Sequence, residues 1–182
     1  MGTLLSVESL TALRGECPVV DNVSVSIGAG ECVGLIGPNG AGKTTLMRAA
    51  LGLLPAKGAS SLTALSPSER ARAVAWLPQA RDIAWPMTVE TVVALGRIPH
   101  LPRGTKLRTE DQAAVDAALT AMALKDFADR LANPLSGGAP ARVLTARALA
   151  THTPLLMVAE LTPAPPPAPP LDPLDRLRHP AV

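Results

Sequence analysis

The residues best suited to chemistry are in the octapeptide "GPNGAGKT", residues 37–44. Gly37, Gly42, Lys43 and Thr44 have the spacing of a phosphate loop; Pro38, Asn39, Gly40 and Ala41 lie between them and Thr45 follows. Glycines allow consecutive backbone N–H groups to curl around one anion. A helix starting where the loop ends adds the positive end of its dipole. In such a loop Lys43 reaches the β- and γ-phosphates of a nucleoside triphosphate, and the Thr44 hydroxyl is a ligand for Mg²⁺. A bare glycine turn before a helix is the plainer alternative. A second stretch, "LLMVAE" at 155–160, carries one carboxylate, Glu160, to the end of an apolar run and then dissolves into prolines. Ser136, in "LSGG" at 135–138, reads as a helix N-cap.

The flanking elements decide between these readings. "CVGLIG" at 32–37 is a short apolar run suited to a central strand, and "KTTLMRAALGLL" at 43–54 has helical spacing at Leu46, Ala49, Ala50 and Leu53. Strand, glycine loop and helix therefore follow in the order a phosphate loop requires. Strands are expected at 3–10 and 19–27, the second with the apolar/polar alternation of a half-buried antiparallel strand. Helices are expected at 88–97, from a capping box at Thr109 and Gln112, and from Ser136 to about residue 150. A strand is expected at 155–159.

Composition narrows the function classes. The chain has 182 residues, 47% hydrophobic and 18% charged, enough for one sizeable core. A net charge of +2 argues for neither nucleic acid nor an anionic membrane. With 2% aromatics there is no stacking platform for single-stranded nucleic acid, so no nucleic-acid partner is expected. Trp76 and Trp85 read as packing residues, His100 and His152 as surface residues. Cys17 and Cys32 lack metal-binding spacing.

The motifs form an ordered set. "LPQ" at 77–79 places Gln79 36 residues after Lys43, and Ser136 lies 57 residues after Gln79. With "LSGGAPARVLTARALA" leading into the 155–159 strand, this order resembles the nucleotide-binding subunits of ATP-binding cassette (ABC) transporters, over residues 3 to about 160. "MTVETVVALGRIPH" further resembles the importer ATPases for iron–siderophore complexes, haem or cobalamin. The resemblance implies an α/β fold: a RecA-like P-loop core with an antiparallel β-subdomain and a helical insert at about 81–135, incomplete at the C-terminus. It implies that residues 37–45 bind ATP and Mg²⁺, with Thr44 and Gln79 at the metal. It makes Gln79, Lys43 and Glu160 catalytic, Glu160 as the general base. Ser136, Gly137 and Gly138 become a signature loop for ATP held by a second copy, in a homodimer. The other partner is a membrane permease, and the place is the cytoplasmic face of the inner membrane, as a peripheral subunit.

The chain also departs from that family. The strand after the signature helix there ends in Asp-Glu; here the pair is Ala159 and Glu160, the Asp either replaced or deleted. The usual signature Gln is Ala139, the aromatic that stacks on adenine aligns with Arg14, and no switch His stands in its place. The ATP-binding domain is expected over 1–162. Residues 163–182 hold 8 of the chain's 19 prolines and read as an unpacked tail, a degenerate or frame-shifted end. Beside an active ATPase stand two other readings: a nucleotide-binding module without turnover, and an inert truncated product.

Overall fold

A strand pattern that slips phase opens the structure. Leu5 and Val7 are buried, and so are Leu10 and Ala12, which a strict period of two would send to the opposite face. The register shift between Val7 and Leu10 is a bulge that returns both pairs to one face. Ser9 takes φ 48° there and its N–H donates to Ser24 Oγ at 2.9 Å. This slip explains why the pattern suggests a strand ending at residue 10, whereas β1 runs Thr3–Arg14.

The computed structural model describes residues 2–79, 83–102, 104–133 and 138–159. They divide into two units, Met1–Val74 and Ala75–Val182. In the first, β1 pairs antiparallel with β2 (Cys17–Gly28) on one edge and β3 (Lys57–Ser60) on the other. Val23, Val25 and Ile27 of β2 are half-buried while Ser24 and Ser26 are exposed, the alternation expected of that strand. Helix α1 (Lys43–Ala50) packs on β1 through buried Met47, Ala49 and Ala50. It stops earlier than its spacing suggests. Gly52, at φ 70°, donates to Ala49 O and Leu53 N donates to Arg48 O, a Schellman cap. Helix α2 (Pro67–Ala73) begins with a reciprocal cap, Ser66 Oγ accepting from Glu69 N and Glu69 Oε2 from Ser66 N.

One expected element is absent. Residues 32–37 form no strand: Val33, Leu35 and Ile36 are 48%, 41% and 99% exposed, and among the described residues no protein group hydrogen-bonds the backbone of 32–36. An apolar run becomes a central strand only when strands on both edges take up its N–H and C=O groups.

In the second unit β4 (Val74–Leu77) pairs with β5 (Leu155–Val158). Helices α3 (Val89–Ala94), α4 (Thr109–Ala121) and α5 (Ala139–Ala150) pack on each other around Val89, Val93, Val115, Leu119 and Val143. The helix expected over 88–97 tightens at residue 95 into a 3-10 turn, Leu95–His100, which contains Pro99. The start of α4 differs from expectation by one residue. Asp111, not Gln112, reaches back to the chain entering the helix, accepting from Arg108 N at 3.1 Å; Gln112 donates to Glu90 instead. Trp85 is 70% exposed, so it is not a packing residue.

Asp111 is fully buried and paired with Arg97, which is 7% exposed, at 3.0 Å. Burial alone would raise its carboxyl; the hydrogen bonds from Arg108 and Arg97 outweigh that and hold it below the ordinary range. A lowered folded value means a contribution that is full above the unfolded value of about 3.9 and is lost as pH falls through the folded one. We expect the protein's melting temperature to fall with acidification in that window, and Asp111→Asn, which lacks the titration, to flatten this limb while lowering stability at pH 7. An unchanged acid limb in the variant would refute the assignment.

Candidate functional site

The phosphate-loop residues come together at the start of α1. Gly40 and Gly42 take φ 86° and 84°, the left-handed region that glycine enters without penalty. At Gly42 glycine is required twice over, because a Cβ would lie 2.5 Å from the Val19 carbonyl oxygen of β2. This backbone contact is invisible to motif reading, since no side chain of Val19 signals it.

Lys43 folds back over the loop, and its Nζ donates to Gly37 O at 2.7 Å and Pro38 O at 2.8 Å. Ala41 N donates to Pro38 O at 3.2 Å, and the first helical bond runs from Leu46 N to Gly42 O. That leaves the N–H groups of Gly42, Lys43, Thr44 and Thr45 without a protein acceptor among the described residues. Four unused amide donors at a helix N-terminus beside an ammonium suit a multiply charged anion. The fit to a triphosphate is therefore good on the donor side, and the Thr44 hydroxyl supplies an oxygen for a hard cation. An apolar cleft of ≈ 300 Å³ is lined by Thr45, Leu13 and residues 54–57. Arg14, expected where an aromatic would stack, is exposed at the end of β1.

The second unit gathers other expected residues. Ala159 N donates to Leu77 O at 2.9 Å, so the end of β5 lies against the end of β4, two residues before Gln79. Gln79 is exposed. Gly138 is the N-cap of α5, with Pro140 in the first turn, where its missing N–H costs nothing. The helix runs from Ala139. Ser136, Gly137, Glu160 and the 163–182 tail lie outside the described residues. His100 is no plain surface residue: its Nε2 meets Thr151 O at 2.7 Å. His152 is exposed, at φ 51°.

Comparison with known proteins adds the family. The ABC transporter domain profile matches residues 20–162. A metal transport system ATP-binding protein of Chlamydia trachomatis is 40% identical over 146 residues, covering 79% of this chain and 62% of that protein. A cobalamin import ATP-binding protein of Halobacterium salinarum is 42% identical over 79% of this chain and 37% of its own. A hemin import ATP-binding protein of Nocardia farcinica is 43% identical over 80% and 52%. The chain thus spans 37–62% of the length of these relatives. Among solved structures, the ATP-binding subunit of an ABC transporter superposes with a TM-score of 0.78 at 25% identity, over 97% of this chain and 71% of that one. An inward-facing metal-chelate type ABC transporter gives 0.73 at 26%, over 87% and 60%. With an α/β P-loop architecture and a profile matching most of its length, the chain belongs to the ABC transporter family, in its ATP-binding domain.

Proposed function

We propose that the chain is the ATP-binding subunit of an importer, bound peripherally to a permease at the cytoplasmic face of the membrane and paired with a second copy of itself. The observation that carries the nucleotide reading is the set of free amides at Gly42–Thr45 beside the Lys43 ammonium. In this reading residues 37–45 hold the triphosphate, Thr44 and Gln79 serve Mg²⁺, and Ser136, Gly137 and Gly138 face the nucleotide of the partner copy. Glu160 accepts the proton of the attacking water. Bound Mg²⁺ supplies charge neutralisation on the phosphate oxygens. The ATP-binding domain covers 1–162, with a helical insert at about 81–135. Relatives named for metal, cobalamin and hemin transport support a metal chelate, haem or cobalamin as the solute. No helix among the described residues is long and apolar enough to cross a membrane, which fits a peripheral subunit.

Titration calorimetry tests the nucleotide reading. Mg-ATP should bind and AMP, without the terminal phosphates, should not; equal affinity for both would overturn it. Co-purification with a permease from detergent-solubilised membranes tests the importer reading.

A second reading, binding without turnover, has its own observation. At the end of β5 stands the methyl group of Ala159, which neither binds a metal nor orders its water.

A further inference from the structure

The 3-10 turn Leu95–His100 is built onto the last turn of α5 from three directions. At Gly96 a Cβ would lie 2.2 Å from Arg147 O and 3.2 Å from Ala150 Cβ, so only glycine allows the contact. Arg97 spreads its guanidinium over two elements. Nε donates to Asp111 Oδ1 of α4 at 3.0 Å, Nη2 lies 3.0 Å from the same oxygen in the ion pair, and Nη1 donates to Ala150 O at 2.9 Å. His100 reaches the next carbonyl, Thr151 O. Two of the carbonyls that a helix end leaves orphaned are thereby taken by side chains of one short turn, with positive charge at the negative end of the helix dipole.

The corner so held has a particular place in the chain. Helix α5 begins at Ala139, directly after "LSGG". Five residues past Ala150, at Leu155, β5 begins, and its end leads to Glu160. Whatever sets α5 along its axis also sets where β5 starts. Packing sets it weakly: of the five buried residues of α5, Ala146, Ala148 and Ala150 offer only shallow ridges. Apolar contact is non-directional, whereas a forked guanidinium on a carboxylate and a carbonyl admits one arrangement. A well-packed apolar pair in place of Arg97 and Asp111 would serve stability as well or better. The charged pair therefore specifies geometry.

We propose that Arg97, with Gly96 and His100, is a positioning clamp that locks the α5–β5 corner. It thereby holds the helix following "LSGG" and the strand leading to Glu160 in one fixed setting. Its meaning for catalysis rests on the ATP-binding reading above; the clamp itself does not.

Hydrogen exchange read by mass spectrometry on the full chain tests it. Arg97→Lys keeps a charge beside Asp111 but cannot fork to Ala150 O. Exchange should then rise about tenfold not only at 147–153 but at the far ends of both elements, residues 139–144 and 157–159. The first of these is about 18 Å away along a helix of 12 residues. Residues 37–46 should be unchanged. The double variant Arg97→Met with Asp111→Leu, which leaves no buried charge unpaired, should show the same distal rise with a cooperative melt. It decides the matter if Arg97→Lys does not fold. Changes confined to 147–153 would make the turn a local cap and overturn the proposal. ATP affinity measured alongside separates the two readings: a wild-type chain that does not bind ATP sinks the nucleotide reading and leaves the exchange result valid.

Discussion

Lys43→Ala should lower affinity for Mg-ATP about ten- to a hundredfold while leaving the melting temperature near that of the parent. The side chain is half-buried, and its bonds within the protein run to two loop carbonyls, Gly37 O and Pro38 O. The fold loses little with it. A bound triphosphate would lose a charge-assisted bond, and a hydrogen bond to a charged group contributes about 1.5–3 kcal/mol. Every ~1.4 kcal/mol is a factor of ten in affinity. Gly42→Ala should behave differently. Its Cβ would meet the Val19 carbonyl at 2.5 Å, and its φ of 84° disfavours any L side chain, so affinity and melting temperature should fall together. Calorimetry and thermal melts on the two variants separate these cases. Unchanged ATP affinity in a folded Lys43→Ala protein would falsify the nucleotide reading of the loop.

Turnover should be slow even where binding is intact: at least about a hundredfold below that of a relative carrying Asp before the strand-end Glu. The Ala159 amide is held in the ladder by Leu77 O, and its side chain is a methyl with nothing to offer a cation's water shell. Metal positioning contributes several kcal/mol to phosphoryl transfer, and ~1.4 kcal/mol is tenfold in rate. The signature Gln that the family resemblance implies is here Ala139. Losses within one unit do not sum, so the hundredfold figure rests on the metal alone. Binding is less exposed, because the amides at 42–45 and Lys43 are all in place. A phosphate-release assay at saturating Mg-ATP, with Glu160→Gln as control, reads the result. Brisk release by the parent chain that vanishes in the Gln variant would show Glu160 working without its Asp, and the account of Ala159 would fail.

What the sequence determined by itself is whatever depends on local spacing. The glycine loop leading into α1 was legible because glycines followed by a helical apolar spacing have few other uses. The 155–159 strand and the alternation of β2 were legible because burial has a period. The order of motifs sufficed to suggest the family. The tertiary structure decided what depends on distant partners. β1 continues past residue 10 because a bulge against β2 repairs the phase of its buried face. Gly42 is obligatory because a carbonyl from β2 stands behind it. Residues 32–37, apolar enough for a central strand, form none, since a strand is made by its neighbours and none bonds it among the described residues. His100 and Arg97 looked like surface and motif text. They became a clamp only when folding brought residues some 50 positions apart together, and no local pattern encodes that approach.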